Sequence, residues 1–180
     1  MAKNVFFIGF MGSGKTTISQ AYSKKYDTKH IEADDIIVER AGMPVTEIFA
    51  TRGEQAFRDM ETDICRELVD VSDYVVSCGG GMPVRPQNVE YMKKNGFIIL
   101  LEAEPETILE RVKNFTTRPL LNGHMNVEYI AQMKQKRADI YANAADVVIH
   151  TDNKSVDQIV EEVHESIHRA GQSPLCGCAE

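Results

Sequence analysis

The chain has 180 residues, 43% of them hydrophobic and 26% charged, close to the globular average of about 45–50% apolar and about 25% charged, which excludes a disordered chain and leaves room for one domain of about 100–200 residues. A formal net charge of −7 argues against a nucleic-acid or anionic-membrane binder, because both need an excess of Lys and Arg. Any anionic ligand must be held by a local concentration of positive charge.

In chain order, the apolar run 5–8 predicts a first strand and is too brief for the apolar region of a signal peptide. A helix is predicted over 16–25, a weak strand over 29–31, and a long helix over 54–69, where Ala56, Phe57, Met60, Ile64 and Leu68 recur at spacings of three and four. Between them, 36–52 is interrupted by Gly42-Met43-Pro44, and Thr51-Arg52-Gly53-Glu54 offers a capping box for the long helix. Strands at 74–78, 97–101 and 147–150 alternate with helices at 88–94, 106–112, 127–143 and 156–168. Strands alternating with helices predict an α/β fold, an open sheet of parallel strands with helices on both faces. Segment 114–126, polar and punctuated by Pro119 and Gly123, is expected to be a mobile loop. No stretch reaches the roughly 18 apolar residues of a membrane span, so a soluble, cytoplasmic protein is expected. Cys65 and Cys78 are expected to be free buried thiols, and Cys176 and Cys178 to sit in a disordered tail at 172–180. His164 and His168, four residues apart, are expected on the polar face of the last helix.

Ligand sites in open α/β sheets lie at the carboxyl ends of strands. The first such exit is Gly9-Phe10-Met11-Gly12-Ser13-Gly14-Lys15-Thr16, a full G-x-x-x-x-G-K-[ST] phosphate loop between a strand and a helix pattern. Its backbone N–H groups suit a β-phosphate, Lys15 reaches β- and γ-phosphates, and the Thr16 hydroxyl suits Mg²⁺. At the second exit, Glu32-Ala33-Asp34-Asp35 would put Glu32 and Asp34 on one side by strand alternation, suited to a divalent metal or to substrate hydroxyls, although an acidic helix start is an equally ordinary reading. On the long helix, Arg58 has Glu54 and Glu61 one turn to either side, as a solvated ion-pair face also would. The third exit, Gly79-Gly80-Gly81, permits close approach of a ligand or is a plain flexible loop. Arg118, in the polar loop, is a candidate to close over a transferring phosphoryl group or a surface charge. Arg137 and Tyr141 lie one turn apart, where a surface ion pair is the default.

Six motifs in order make the chain resemble the shikimate kinase family: the phosphate loop through Thr17, Glu32-x-Asp34, Phe57-Arg58-x-x-Glu61, Gly79-Gly80-Gly81, Arg118-Pro119-Leu120-Leu121, and Arg137-x-x-x-Tyr141 followed by Ala145-Asp146. The resemblance implies a five-stranded parallel P-loop kinase domain over 1–171, with a substrate-binding segment at about 32–61 and a lid at about 113–126. It implies transfer of the γ-phosphoryl group of ATP to the 3-hydroxyl of shikimate, with Mg²⁺, in the route to chorismate and the aromatic amino acids, by a monomer. On that analogy Gly12, Ser13, Gly14, Lys15, Thr16, Thr17, Arg111, Arg118 and Lys154 bind ATP. Asp34, Arg58, Gly79, Gly80, Gly81 and Arg137 bind shikimate. Thr16 and Glu32 face the metal, and Lys15, Asp34 and Arg118 serve the chemistry. The family usually has Asp where this chain has Glu32, so the carboxylate sits one methylene further out and either reaches the ion directly or displaces a bridging water. The competing readings are a related kinase of another polyol acid, such as gluconate, or of a nucleotide, and a nonenzymatic nucleotide-binding module.

Overall fold

The computed structural model describes residues 3–113 and 126–171. Five strands, β1 (Asn4–Ile8), β2 (Lys29–Glu32), β3 (Tyr74–Ser77), β4 (Gly96–Glu102) and β5 (Val147–His150), form one sheet in the order β2-β3-β1-β4-β5. Every pairing is parallel; Val5 sits opposite Val75 on one side and Phe97 on the other. The helices are α1 (Lys15–Tyr26), α2 (Ala33–Ala41), α3 (Val45–Glu67), α4 (Pro86–Lys94), α5 (Pro105–Val112), α6 (Val127–Ala144) and α7 (Val156–Gly171), with a 3₁₀ turn at Met82–Val84. The α/β fold read from the sequence is the one observed.

Period-two alternation splits the strands between two cores. Phe6 and Ile8 of β1 and Ile98 and Leu100 of β4 join residues of α2, α3, α5 and α6. Val5, Phe7, Ile99 and Leu101 join Ile18 and Tyr22 of α1 and Ile159, Val160 and Val163 of α7. Strands covered on both faces read as continuous apolar runs, and each such side chain contributes about 1.5–3 kcal/mol by leaving water. Among the described residues no helix is long and apolar enough to cross a membrane.

Two sequence expectations fail between β2 and β3. Residues 33–41 form α2, and residues 45–67 run as one helix broken at Gly53, whose φ of 81° and ψ of 168° are non-helical. The Thr51–Glu54 capping box does not form: the Thr51 hydroxyl donates to the Glu47 carbonyl one turn back, and a glycine at positive φ makes the break instead. The turn from β2 into α2, rather than strand alternation, carries the chain from Glu32 to Asp34. Buried Asn4 was not anticipated; its amide donates to the carbonyls of Leu68 and Val71 and its oxygen accepts from Tyr74 N–H, fastening the end of α3 to β1 and β3.

This strand order places the topological switch at β1, between β3 and β4, where open parallel sheets form a crevice. The loops leaving β1, β2 and β3 all open there.

Candidate active site

The loop after β1 turns into α1 through Gly12 (φ 77°) and Gly14 (φ 100°), left-handed conformations that let consecutive N–H groups face one concavity at a helix N-terminus. Lys15 folds back over the loop, its ammonium donating to the carbonyls of Gly9 (2.9 Å) and Phe10 (3.0 Å). Thr16 and Thr17 are exposed at the start of α1, whereas Ser13 is fully buried. Arg111 of α5 braces the loop from the other side, donating to the Gly12 carbonyl (3.2 Å) and to the Thr151 hydroxyl (3.0 Å). That hydroxyl in turn donates to the Glu102 carbonyl. Lys154 pairs with Glu162 of α7.

Beside Thr16, the Ser77 hydroxyl donates to Glu32 Oε1 at 2.9 Å and stands 3.5 Å from the Thr16 hydroxyl. Burial pushes the Glu32 carboxyl above its usual range against the hydrogen bonds from Ser77 and Thr16, and Glu32 Oε2 is buried without a partner. A buried, unpartnered carboxylate oxygen next to an exposed threonine hydroxyl at a phosphate loop is suited to a divalent cation. Among the described residues there is no cluster of three or more His, Cys, Asp or Glu that could hold a metal by itself. Mg²⁺, which commonly keeps several waters and takes ligands from substrate phosphates, fits such a sparse donor set.

The loop after β3 is crowded on three sides. A side chain at Gly79 would meet Asp34 Oδ1 at 2.7 Å and Glu61 Oε1 at 2.8 Å; one at Gly81 would run into the Arg58 guanidinium. At Gly80 the neighbours are the Gly9 carbonyl (3.6 Å), Arg137 Nη1 (3.7 Å) and the Tyr141 hydroxyl (3.8 Å). Close approach, rather than flexibility, accounts for Gly79 and Gly81, whereas the contacts at Gly80 are of ordinary van der Waals length. Arg58 donates to Glu61 Oε2 (2.8 Å) and to Glu54 Oε1 (2.9 Å), and its guanidinium is only 15% exposed. Glu61 has no exposure; burial pushes its carboxyl up to about 7 even though the Arg58 charge opposes this.

Arg58 is thus held at the glycine loop rather than on a solvated face. Arg137 makes no surface ion pair with a neighbour on its helix but donates to the Gly80 carbonyl (3.1 Å). Asp34, Arg58, Arg137 and all three glycines come together, and the Gly9 carbonyl links them to the phosphate loop. Arg118 and the segment 114–125 lie outside the described residues, as does the tail 172–180 with Cys176 and Cys178.

The arrangement offers a phosphate loop with donors suited to a cation and, adjoining it across Gly79–Gly81, a cluster of two guanidinium groups and carboxylates. That combination can take a nucleoside triphosphate on one side and a hydroxylated carboxylic acid on the other. The sequence reading left out Ser77, Glu61, Tyr141 and Thr151 as site residues. The family motifs flag Glu61 and Tyr141, but nothing in the sequence near Ser77 or Thr151 signals a role.

The shikimate kinase family profile matches residues 11–168. The chain belongs to the shikimate kinase family. A shikimate kinase of Sulfurihydrogenibium sp. is 38% identical over 167 residues, covering 93% of this chain and 99% of its own. Among solved structures, a shikimate kinase from Acinetobacter baumannii in complex with shikimate superposes with a TM-score of 0.88 at 25% identity, covering 96% of this chain and 97% of its own. A gluconokinase from Sinorhizobium meliloti superposes with a TM-score of 0.60 at 17% identity, over 93% of each chain, a likeness of fold alone.

Proposed function

We propose that the chain is an ATP-dependent shikimate kinase, transferring the γ-phosphoryl group of ATP to the 3-hydroxyl of shikimate, and that it works as a cytoplasmic monomer with Mg²⁺. The observation that carries this reading is the convergence of Asp34, Arg58 and Arg137 on the glycine loop that adjoins the phosphate loop. Guanidinium groups bind a carboxylate through paired, charge-assisted hydrogen bonds, and an ionised carboxylate accepts from vicinal ring hydroxyls. Arg58 and Arg137 would therefore grip the acid group, while Asp34 would orient the hydroxyl to be phosphorylated and receive its proton late in the reaction.

Phosphoryl transfer proceeds through a loose transition state, so alignment and neutralisation of charge matter more than strong base catalysis. Lys15 would leave the Gly9 and Phe10 carbonyls for the β- and γ-phosphates, and the N–H groups of Gly12–Thr17 would hold the phosphate chain. Thr16 and Glu32 would hold Mg²⁺, which when bound neutralises phosphate charge. The family analogy assigns Arg118 the γ-phosphate and Arg111 and Lys154 the nucleotide side.

An acceptor panel tests the reading. Purified protein with Mg-ATP should release ADP on addition of shikimate, and not on addition of gluconate or a nucleoside monophosphate. Release with gluconate alone, or with no acceptor in the panel, would overturn it.

A further inference from the structure

Tyr141 belongs to none of the groups assigned above, yet its hydroxyl sits inside the acceptor side of the site. Its ring is 5% exposed and packs in the core between α6 and the sheet. The hydroxyl leaves that core to donate to the Gly80 carbonyl at 2.7 Å. Arg137, one helical turn earlier on α6, donates to the same carbonyl at 3.1 Å. Phenol and guanidinium thus share one acceptor, and the phenol makes the shorter bond to it.

The shared acceptor restrains the guanidinium. Guanidinium carries five N–H donors in one plane, so a bond to a carbonyl that is itself held in place narrows the orientations open to that plane and leaves the other donors for a ligand. An arginine on a long, otherwise free stem would lose that rotamer freedom only when ligand arrives. We propose that Tyr141 is a positioning residue for the acceptor that acts through Arg137, its hydroxyl holding the Gly80 carbonyl on which Arg137 is anchored so that the carboxylate of the substrate meets a preformed fork. This rests on the assignment of Arg137 to the acceptor carboxylate.

Tyr141→Phe tests it with little disturbance, because the ring keeps its packing and the Gly80 carbonyl keeps Arg137 as a donor. The variant should raise KM for shikimate by about three- to tenfold, the size of one neutral hydrogen bond, with kcat and KM for ATP within about twofold of wild type and an unchanged melting temperature. In an Arg137→Ala background the same change should bring no further loss of kcat/KM for shikimate, since a residue acting through Arg137 has nothing left to orient. An unchanged KM for shikimate, a loss that adds fully in the Arg137→Ala background, or a rise in both KM values with a lowered melting temperature or loss of folded protein would overturn the proposal. Wild-type protein inert toward shikimate would remove the kinase reading and this inference together. Active wild type with an indifferent Tyr141→Phe would remove only the inference.

Discussion

Glu61→Gln should change how stability depends on pH, and the structure sets the size of the effect. Glu61 is fully buried, with Oε2 on Arg58 and Oε1 without a partner. Burial outweighs the favourable Arg58 charge and lifts the carboxyl from 4.5 to about 7. Between those values the folded protein keeps a proton that the unfolded chain has released, so stability falls as pH rises through this window. The contribution is complete below 4.5, the unfolded value, and gone once pH has risen past about 7. At about 1.4 kcal/mol per pH unit the interval amounts to about 3 kcal/mol. Glutamine keeps the size and does not titrate, and any cost of depriving Arg58 of its partner is a constant offset. The unfolding free energy of wild type minus that of the variant should therefore fall by about 3 kcal/mol between pH 4.5 and 8, or about 1–2 M in the difference of urea midpoints. Other carboxylates and histidines titrate in both proteins and cancel. Urea unfolding across that range gives the answer, and two parallel curves would refute the reasoning, because they would mean that Arg58 compensates the buried charge completely.

Further changes act on the reaction. Lys15→Met should lower kcat by about 10²–10³ or more while the protein remains folded by circular dichroism, since one preorganised positive donor at the developing charge is lost. Glu32→Ala should raise the Mg²⁺ concentration needed for half-maximal rate, and weaken Mn²⁺ uptake by the ADP complex in spin resonance, without abolishing shikimate binding; an unchanged metal dependence would remove Glu32 from the cation's surroundings. Gly81→Ala would drive a methyl group into the Arg58 guanidinium. Because the backbone φ of −97° there suits any residue, the side chain should yield rather than the fold, raising KM for shikimate by about 10- to 100-fold with near-native urea stability.

The fold was legible wherever periodicity was strong. β1 and β4 carry apolar residues at successive positions because both faces of the sheet are covered, and the phosphate loop announces itself by spacing. The segment after β2 was harder to read. Gly42-Met43-Pro44 looks like interruption, yet Gly42 ends α2 in a left-handed turn and Pro44 caps α3. The capping box at Thr51 lost to a positive-φ glycine two residues later. In the site, Arg58 and Arg137 were found through ordered motifs, whereas their partners were fixed by tertiary approach. Ser77 meets Glu32 across 45 positions and Thr151 meets Arg111 across 40, separations at which no local pattern survives.

The glycine loop after β3 has a consequence for how acceptor preference could drift among related chains. Each of its three α-carbons abuts a different neighbour: carboxylates from α2 and α3 at Gly79, the phosphate loop and α6 at Gly80, the Arg58 guanidinium at Gly81. A methyl group added at Gly79 or Gly81 would push on side chains from α2 and α3 that share no sequence neighbourhood with the loop, so those two positions are poor places to tune selectivity. Asp34, Arg58 and Arg137 stand on three separate helices packed in the same core, while α1 packs in the other. If Asp34, Arg58 and Arg137 take the acceptor as proposed, exchange of side chains on α2, α3 and α6 would admit a differently shaped acid while α1, packed in the other core, keeps the phosphate loop as it is.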